Sequence, residues 1–240
     1  MALALAWIAW RAPAHHLPRR RVLYGVWLIA GGALLAGRLG YVAQHPAYFA
    51  QRGADMGALR RVGGMHGSSA LAGGALVASL WAWRMRYRWR DVIALFAPAA
   101  LCVAAGGWWS CWDWGCAWGR AAHNAPPLLR WMVRDAPNLY HENVPRYAVQ
   151  LWSGLWAAAL MIVSARFATR APLALIGYAL GIAGLTLLRG DPAPTLGPLR
   201  WDVWLNLSVA AGLGGITWWT RPGRAQSMTE ERGTDDCIDL

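Results

Sequence analysis

Apolar and polar positions fall in long blocks along this chain rather than in the short periods of a soluble fold. Apolar runs lie near residues 23–44, 69–86, 92–110, 148–165, 172–188 and 202–219. A helix needs about 20 apolar residues to cross hydrocarbon. Inside hydrocarbon the backbone must satisfy its own hydrogen bonds, which leaves helices as the spanning elements. The predicted fold is therefore all-α: a polytopic transmembrane helical bundle of six full helices. A shorter run, Met1 to Trp10, cannot cross alone. It has no basic leader and no small-residue cleavage site after it, so it does not read as a signal peptide. It reads as a partial N-terminal helix, the tail end of one whose beginning is absent. Residues 1–222 make one transmembrane domain, and 223–240 are a polar tail expected to be disordered.

Composition sharpens this picture. Apolar residues make up 57% of the chain, and the 18 tryptophans gather at the ends of several runs. Indole rings prefer the headgroup level. The net charge of +11 would suggest nucleic acid in a soluble protein. Here it follows the helix ends instead, which argues for a membrane protein with no nucleic-acid partner. Arg19, Arg20 and Arg21, then Arg84, Arg86, Arg88 and Arg90, then Arg166 and Arg170, then Arg221 and Arg224 fall on alternate connections. Positive residues favour the cytoplasmic side, so the other connections face outward. Those also carry Arg120, Arg130, Arg134 and Arg146, diluted by Asp135 and Glu142.

Within this frame a few polar positions stand out. Arg38 lies near membrane depth, where charge costs roughly 2.5–3.5 kcal/mol at the centre and less near the interface. It either snorkels to the headgroups or lines a polar cavity. The glycines and serines of GGMHGSSALAGG, Gly63 to Gly74, permit sharp turns and close helix approach. Pro98 is expected to kink the helix around it. The segment GGWWSCWDWGCAWGR, Gly106 to Arg120, reads as interfacial or re-entrant. Its Cys111 and Cys116 are five apart. On a continuous helix their thiols would point apart, so a disulfide would need a turn between them. Adjacent His15 and His16 in the first basic connection are expected to be solvated. Cys237 opens a C-terminal box whose Asp239 spoils any match to a prenylation signal. No Walker loop, HExxH or dinucleotide-binding glycine pattern is present, and neither cofactor nor metal is called for.

Six strings, in order, carry a resemblance. GALLAGRLGYV (Gly32 to Val42), GGMHGSSALAGG (Gly63 to Gly74), FAPA (Phe96 to Ala99), GWWSCWDWGCAWGR (Gly107 to Arg120), RYAVQLWSGL (Arg146 to Leu155) and YALGIAGLTLLRGD (Tyr178 to Asp191) match family-like spacing. Together they resemble the prolipoprotein diacylglyceryl transferase family. Its members are multi-helix bacterial inner-membrane enzymes that move diacylglyceryl from phosphatidylglycerol to the thiol of a lipobox cysteine. The resemblance implies a central cavity open to lipid and to the periplasm. The implied partners are phosphatidylglycerol and the lipoprotein precursor's signal peptide.

The resemblance also carries residue roles. Arg38, Arg120, Gln150, Tyr178, Arg189 and Asp191 keep the family's polar residues. The implied catalytic set is His66, Arg120, Gln150 and Tyr178, and the implied lipid-phosphate set is Arg38, Arg120 and Arg189. His66 is to assist thiol deprotonation, and Gln150 and Tyr178 to position substrate. The departures are as specific. The family's histidine falls on Ser68, two residues past His66. Its signature arginine falls on Trp108, the asparagine on Cys111 and the glutamate on Cys116. A later arginine and glutamate fall on Ile182 and Thr186. A non-catalytic paralogue that binds lipid or lipoprotein precursor is therefore the alternative, and a thiol protein using Cys111 and Cys116 a third.

Overall fold

A computed structural model describes residues 2–12, 17–137 and 143–220. His15, His16, Glu142, Arg221, Arg224, Cys237 and the expected C-terminal tail lie outside the described residues. Seven helices carry the architecture: α1 (Ala2–Arg11), α2 (Arg19–Gln44), α5 (Gly67–Arg84), α6 (Trp89–Trp114), α7 (Val149–Arg166), α8 (Ala171–Thr186) and α9 (Trp201–Trp219). Short helices α3 (Pro46–Gln51) and α4 (Leu59–Val62) lie in the connection between α2 and α5. Two small antiparallel ribbons complete the described chain: β1 (Val133–Pro137) with β2 (Asn143–Tyr147), and β3 (Thr195–Leu196) with β4 (Leu199–Arg200).

The six long helices coincide with the six apolar runs. Four stretches are long and apolar enough to cross a membrane: Arg19–Gln44, Trp89–Trp114, Val149–Arg166 and Ala168–Thr186. This corrects the expectation of six strong spans. α5 is diluted by Ser68, Ser69, three glycines, two tryptophans and Arg84, and α9 by Asp202, Asn206 and its own tryptophans. The polar residues that weaken these two helices as membrane solutes are those that meet one another in the site described below.

Packing follows from side-chain size. Ile93, Ala97 and Leu101 of α6, Ala157 of α7, Ala179 and Ile182 of α8, and Ala210 and Leu213 of α9 form the main buried cluster. Ala4 and Ile8 of α1 pack with Val22, Trp81 and Leu95 in a second. α2 lies along α5. A Cβ added at Gly73 would stand 2.2 Å from the Ala36 Cβ and 2.8 Å from the Gly32 carbonyl, so the small residues set that crossing. The outer faces carry Leu28, Leu35, Leu76, Val103, Ile162 and Leu173 exposed, an apolar surface suited to lipid.

The tryptophan-rich segment is neither re-entrant nor a surface strap. Its first half is the last turns of α6, which runs unbroken to Trp114 with Pro98 inside it. Connectivity gathers the ends of the helices into two sets. Arg19, Arg84, Trp89, Arg166 and Ala171 mark one end of the bundle. Gln44, Gly67, Trp114, Val149, Thr186 and Trp201 mark the other.

Candidate functional site

The second end holds the polar residues that meet one another. α6 stops at Gly115, which adopts the left-handed conformation (φ 65°) and accepts the helix's terminal turn. That reversal supplies the turn the two cysteines need. Cys111 and Cys116 form a disulfide with their Cα atoms 4.8 Å apart. The Gln150 side-chain amide donates to the Cys116 carbonyl at 2.9 Å, tying the closed loop to the start of α7.

Beyond the loop the chain runs extended between two other segments. On one side the Arg120 N–H donates to the Leu188 carbonyl (2.9 Å) and the Gly190 N–H to the Trp118 carbonyl (2.8 Å). On the other the Tyr147 N–H donates to the Arg120 carbonyl (3.2 Å) and the Ala122 N–H to the Pro145 carbonyl (2.9 Å). Residues 118–122 are thus laced between 188–190 and β2, and β2 in turn pairs with β1. The Arg120 backbone is pinned on both edges. Its side chain is exposed and has no polar partner among the described residues.

Arg189, one residue from that seam, is placed differently. Its guanidinium donates to both oxygens of Asp191 (2.8 and 2.6 Å) and to Oδ2 of Asp202 (3.2 Å). Burial works against its charge, but the hydrogen-bonded Asp191 and the nearby Asp202 outweigh that and hold Arg189 above the ordinary arginine range. Arg200 joins the cluster, reaching Oδ2 of both Asp191 and Asp202 at 3.3 Å.

Asp202, 2% exposed in the first turn of α9, turns its other oxygen to His66. His66 Nε2 lies 2.6 Å from Asp202 Oδ1. His66 is also the N-cap of α5: its Nδ1 accepts the Ser69 N–H at 3.3 Å and stands 2.7 Å from the Ser69 hydroxyl. One helical turn along α9, Asn206 donates to the Ser68 hydroxyl (2.8 Å) and to the Asp202 carbonyl (2.8 Å). An unbroken polar chain therefore runs Ser69, His66, Asp202, Arg189 and Arg200, Asp191, with Arg120 on the adjoining strand.

The remaining implied residues sit apart from this chain. Arg38 is buried and neither snorkels nor faces an open cavity. Its guanidinium donates to the carbonyls of Asp55, Met56, Gly63 and Gly64 and lies over the rings of Tyr41 and Phe49. It clasps the connection between α2 and α5, with four of its five N–H donors on backbone carbonyls. Tyr178 is packed in the main cluster, and its hydroxyl accepts from Trp108 Nε1 at 3.1 Å. Gln150 is 1% exposed; among the described residues its Oε1 has no partner, nor do the buried hydroxyls of Ser153 and Thr186. Gln150 and Ser153 share a face of α7 at the level of the last turn of α8.

Sequence reasoning reached His66, Arg120, Arg189 and Asp191 and missed Asp202, Arg200, Ser69 and Asn206. A usable signal existed for Asp202. A carboxylate at the head of an apolar run needs a partner, and the long-range search for one leads to a histidine and two arginines.

No curated protein matches the chain. The family model described as prolipoprotein diacylglyceryl transferase matches residues 1–219. That stretch holds every residue of the polar chain, from His66 through Arg120 to Asp202, and the chain belongs to the prolipoprotein diacylglyceryl transferase family.

Proposed function

We propose that the protein transfers diacylglyceryl from phosphatidylglycerol to the cysteine thiol of a lipoprotein precursor. It acts in the bacterial inner membrane with its site facing the periplasm. The observation that carries this is the join between an exposed arginine with no polar partner among the described residues and a buried histidine–carboxylate pair at one end of a lipid-facing bundle. The orientation is supported by the arginines of the opposite end and by the disulfide, which suits an oxidising compartment.

The chemistry assigns work to each group. The acceptor thiol must lose its proton, because the thiolate is the nucleophile. His66, backed by Asp202, is the base. The sulfur attacks the glyceryl carbon bound to the phosphate oxygen. A C–S bond forms, the C–O bond breaks, and glycerol phosphate leaves with the oxygen and the electron pair. Arg120 meets the negative charge that gathers on the leaving phosphate. Arg189, already held by two carboxylates, fixes Asp202 in place. Gln150 anchors the disulfide loop that carries Arg120 into position.

A second function, a non-catalytic member that binds lipid or precursor, is favoured by one observation. Trp108 and Ile182 pack in the apolar cluster at positions where the family pattern has arginines. Purified protein supplied with labelled phosphatidylglycerol and a lipobox peptide separates the two. Thioether product that disappears in Arg120→Ala supports the transferase. Saturable lipid binding without product removes it in favour of the binding protein.

A further inference from the structure

The geometry points to a defined route for the proton within the transferase proposed above: Asp202 is a positioning residue that holds His66 in the Nε2–H form, so that Nδ1 receives the thiol proton through the Ser69 hydroxyl. This rests on that proposed reaction, but its central claim is about the histidine and can be read without turnover.

Asp202 Oδ2 faces Arg189 at 3.2 Å and Arg200 at 3.3 Å, two cations that keep it ionised. An ionised carboxylate accepts hydrogen bonds and donates none. The 2.6 Å contact from Asp202 Oδ1 therefore requires the hydrogen on His66 Nε2. Neutral imidazole carries one N–H, which leaves Nδ1 bare and able to accept. Nδ1 is where the Ser69 N–H and hydroxyl converge.

Every charged group around the ring fits this assignment. α5 offers Ser68 and Ser69, and α9 offers Asp202 and Asn206. The segment between α8 and α9 brings Arg189, Asp191 and Arg200 to the far side of Asp202. From α2 the Gly37 carbonyl accepts the His66 N–H at 2.9 Å, while Arg38 is committed elsewhere. His66 also sits at the positive end of α5, where an imidazolium is disfavoured. Among the described residues Asp202 is the one carboxylate in contact with the ring, so it offsets that penalty when the proton arrives. A histidine serving only as a helix cap would need Nδ1 and nothing on Nε2.

In the step itself the thiol gives its proton to Ser69 Oγ, and Ser69 gives its own hydroxyl proton to His66 Nδ1. The result is a thiolate and an imidazolium paired with Asp202. The thiolate then forms the C–S bond as glycerol phosphate departs.

Nitrogen-15 spectra of histidine-labelled protein in detergent, with the His66 signals assigned by their loss in His66→Gln, test the claim directly. The wild type is expected as the Nε2–H form near neutral pH. In Asp202→Asn the two arginines retain the amide oxygen and the NH2 turns to Nε2, so the ring switches to the Nδ1–H form. With lipid and peptide supplied, Asp202→Asn lowers kcat about 10²–10⁴-fold with KM little changed, the loss expected for a base held in the wrong tautomer. A wild-type Nδ1–H form overturns the proposal, whether or not the variant folds. So does an Asp202→Asn protein that keeps the Nε2–H form and its kcat. Full kcat in Ser69→Ala overturns the relay through the hydroxyl. If the wild type makes no thioether yet both spectra are as expected, the transferase activity fails and the role of Asp202 stands.

Discussion

Arg120 and Arg189 lie on paired backbone segments, joined by the Arg120 N–H to Leu188 carbonyl bond and the Gly119–Arg189 bridge, yet their side chains have opposite fates. Arg189 is locked to Asp191 and Asp202, and Arg120 is exposed with no polar partner among the described residues. Two cations a strand apart thus differ in surroundings, one bracing the carboxylate behind His66 and the other, in the transferase proposed above, left for an anion from outside.

Arg120→Ala is accordingly expected to fold as the wild type does and to lose transferase activity by about 10²-fold or more, the scale of removing one donor to developing charge. Arg120→Lys keeps the charge but not the two-pronged donor and should recover only part of it. Thioether formation per folded protein, with the folded fraction measured by size exclusion, gives both numbers. Unchanged turnover in Arg120→Ala would remove the phosphate role.

The disulfide has a structural duty by its position, since Gln150 holds its loop and the loop leads into the Arg120 strand. Closing so short a loop is worth about 2 kcal/mol in the unfolded chain. The double variant Cys111→Ser, Cys116→Ser should melt earlier in detergent and still form thioether at permissive temperature. Survival of activity would also dispose of a thiol-based function for these two residues.

Arg38→Ala should be the most damaging of the arginine changes to stability. It strands the carbonyls of Asp55, Met56, Gly63 and Gly64 beside an emptied buried site. The loss is about 3 kcal/mol or more. Lysine, a point charge on a flexible stem, cannot span four carbonyls and should restore little. Faster proteolytic cleavage between residues 52 and 64 than in the wild type is the measurement. A protease pattern identical to wild type would contradict the clasp.

Tyr178→Phe separates packing from catalysis. The variant leaves Trp108 Nε1 without its acceptor inside the bundle, a loss of about 1–3 kcal/mol. Thermal stability should fall while KM for lipid and peptide stays near the wild-type value. A large KM change at full stability would return Tyr178 to the substrate.

What was legible in the sequence follows the range of the interactions. Apolar runs report on each helix separately, so helix positions and the alternation of basic ends could be read from them. The number of strong spans was overcounted, because the long apolar runs of α5 and α9 hide how far Ser68, Ser69, Arg84, Asp202 and Asn206 dilute them. The Gly115 turn was hidden by tryptophans that suit either an interface or a helix end. Ordered strings located His66 and Arg120. The Asp202–His66 pair spans 136 residues, and no local pattern encodes which of several carboxylates a buried histidine will meet. Arg38 and Tyr178 show what matching a family's polar residue leaves out: their contacts with the α2–α5 connection and with Trp108 are invisible in a string.

The 136-residue separation between His66 and Asp202 has a bearing on biogenesis. α9 leaves the ribosome after α5 and the helices between them, and until it is threaded into the bilayer the histidine lacks Asp202 behind it. A nascent chain can therefore bury its earlier helices while its proposed proton acceptor stays unassembled. Insertion of α9 is the arming step for the proposed site.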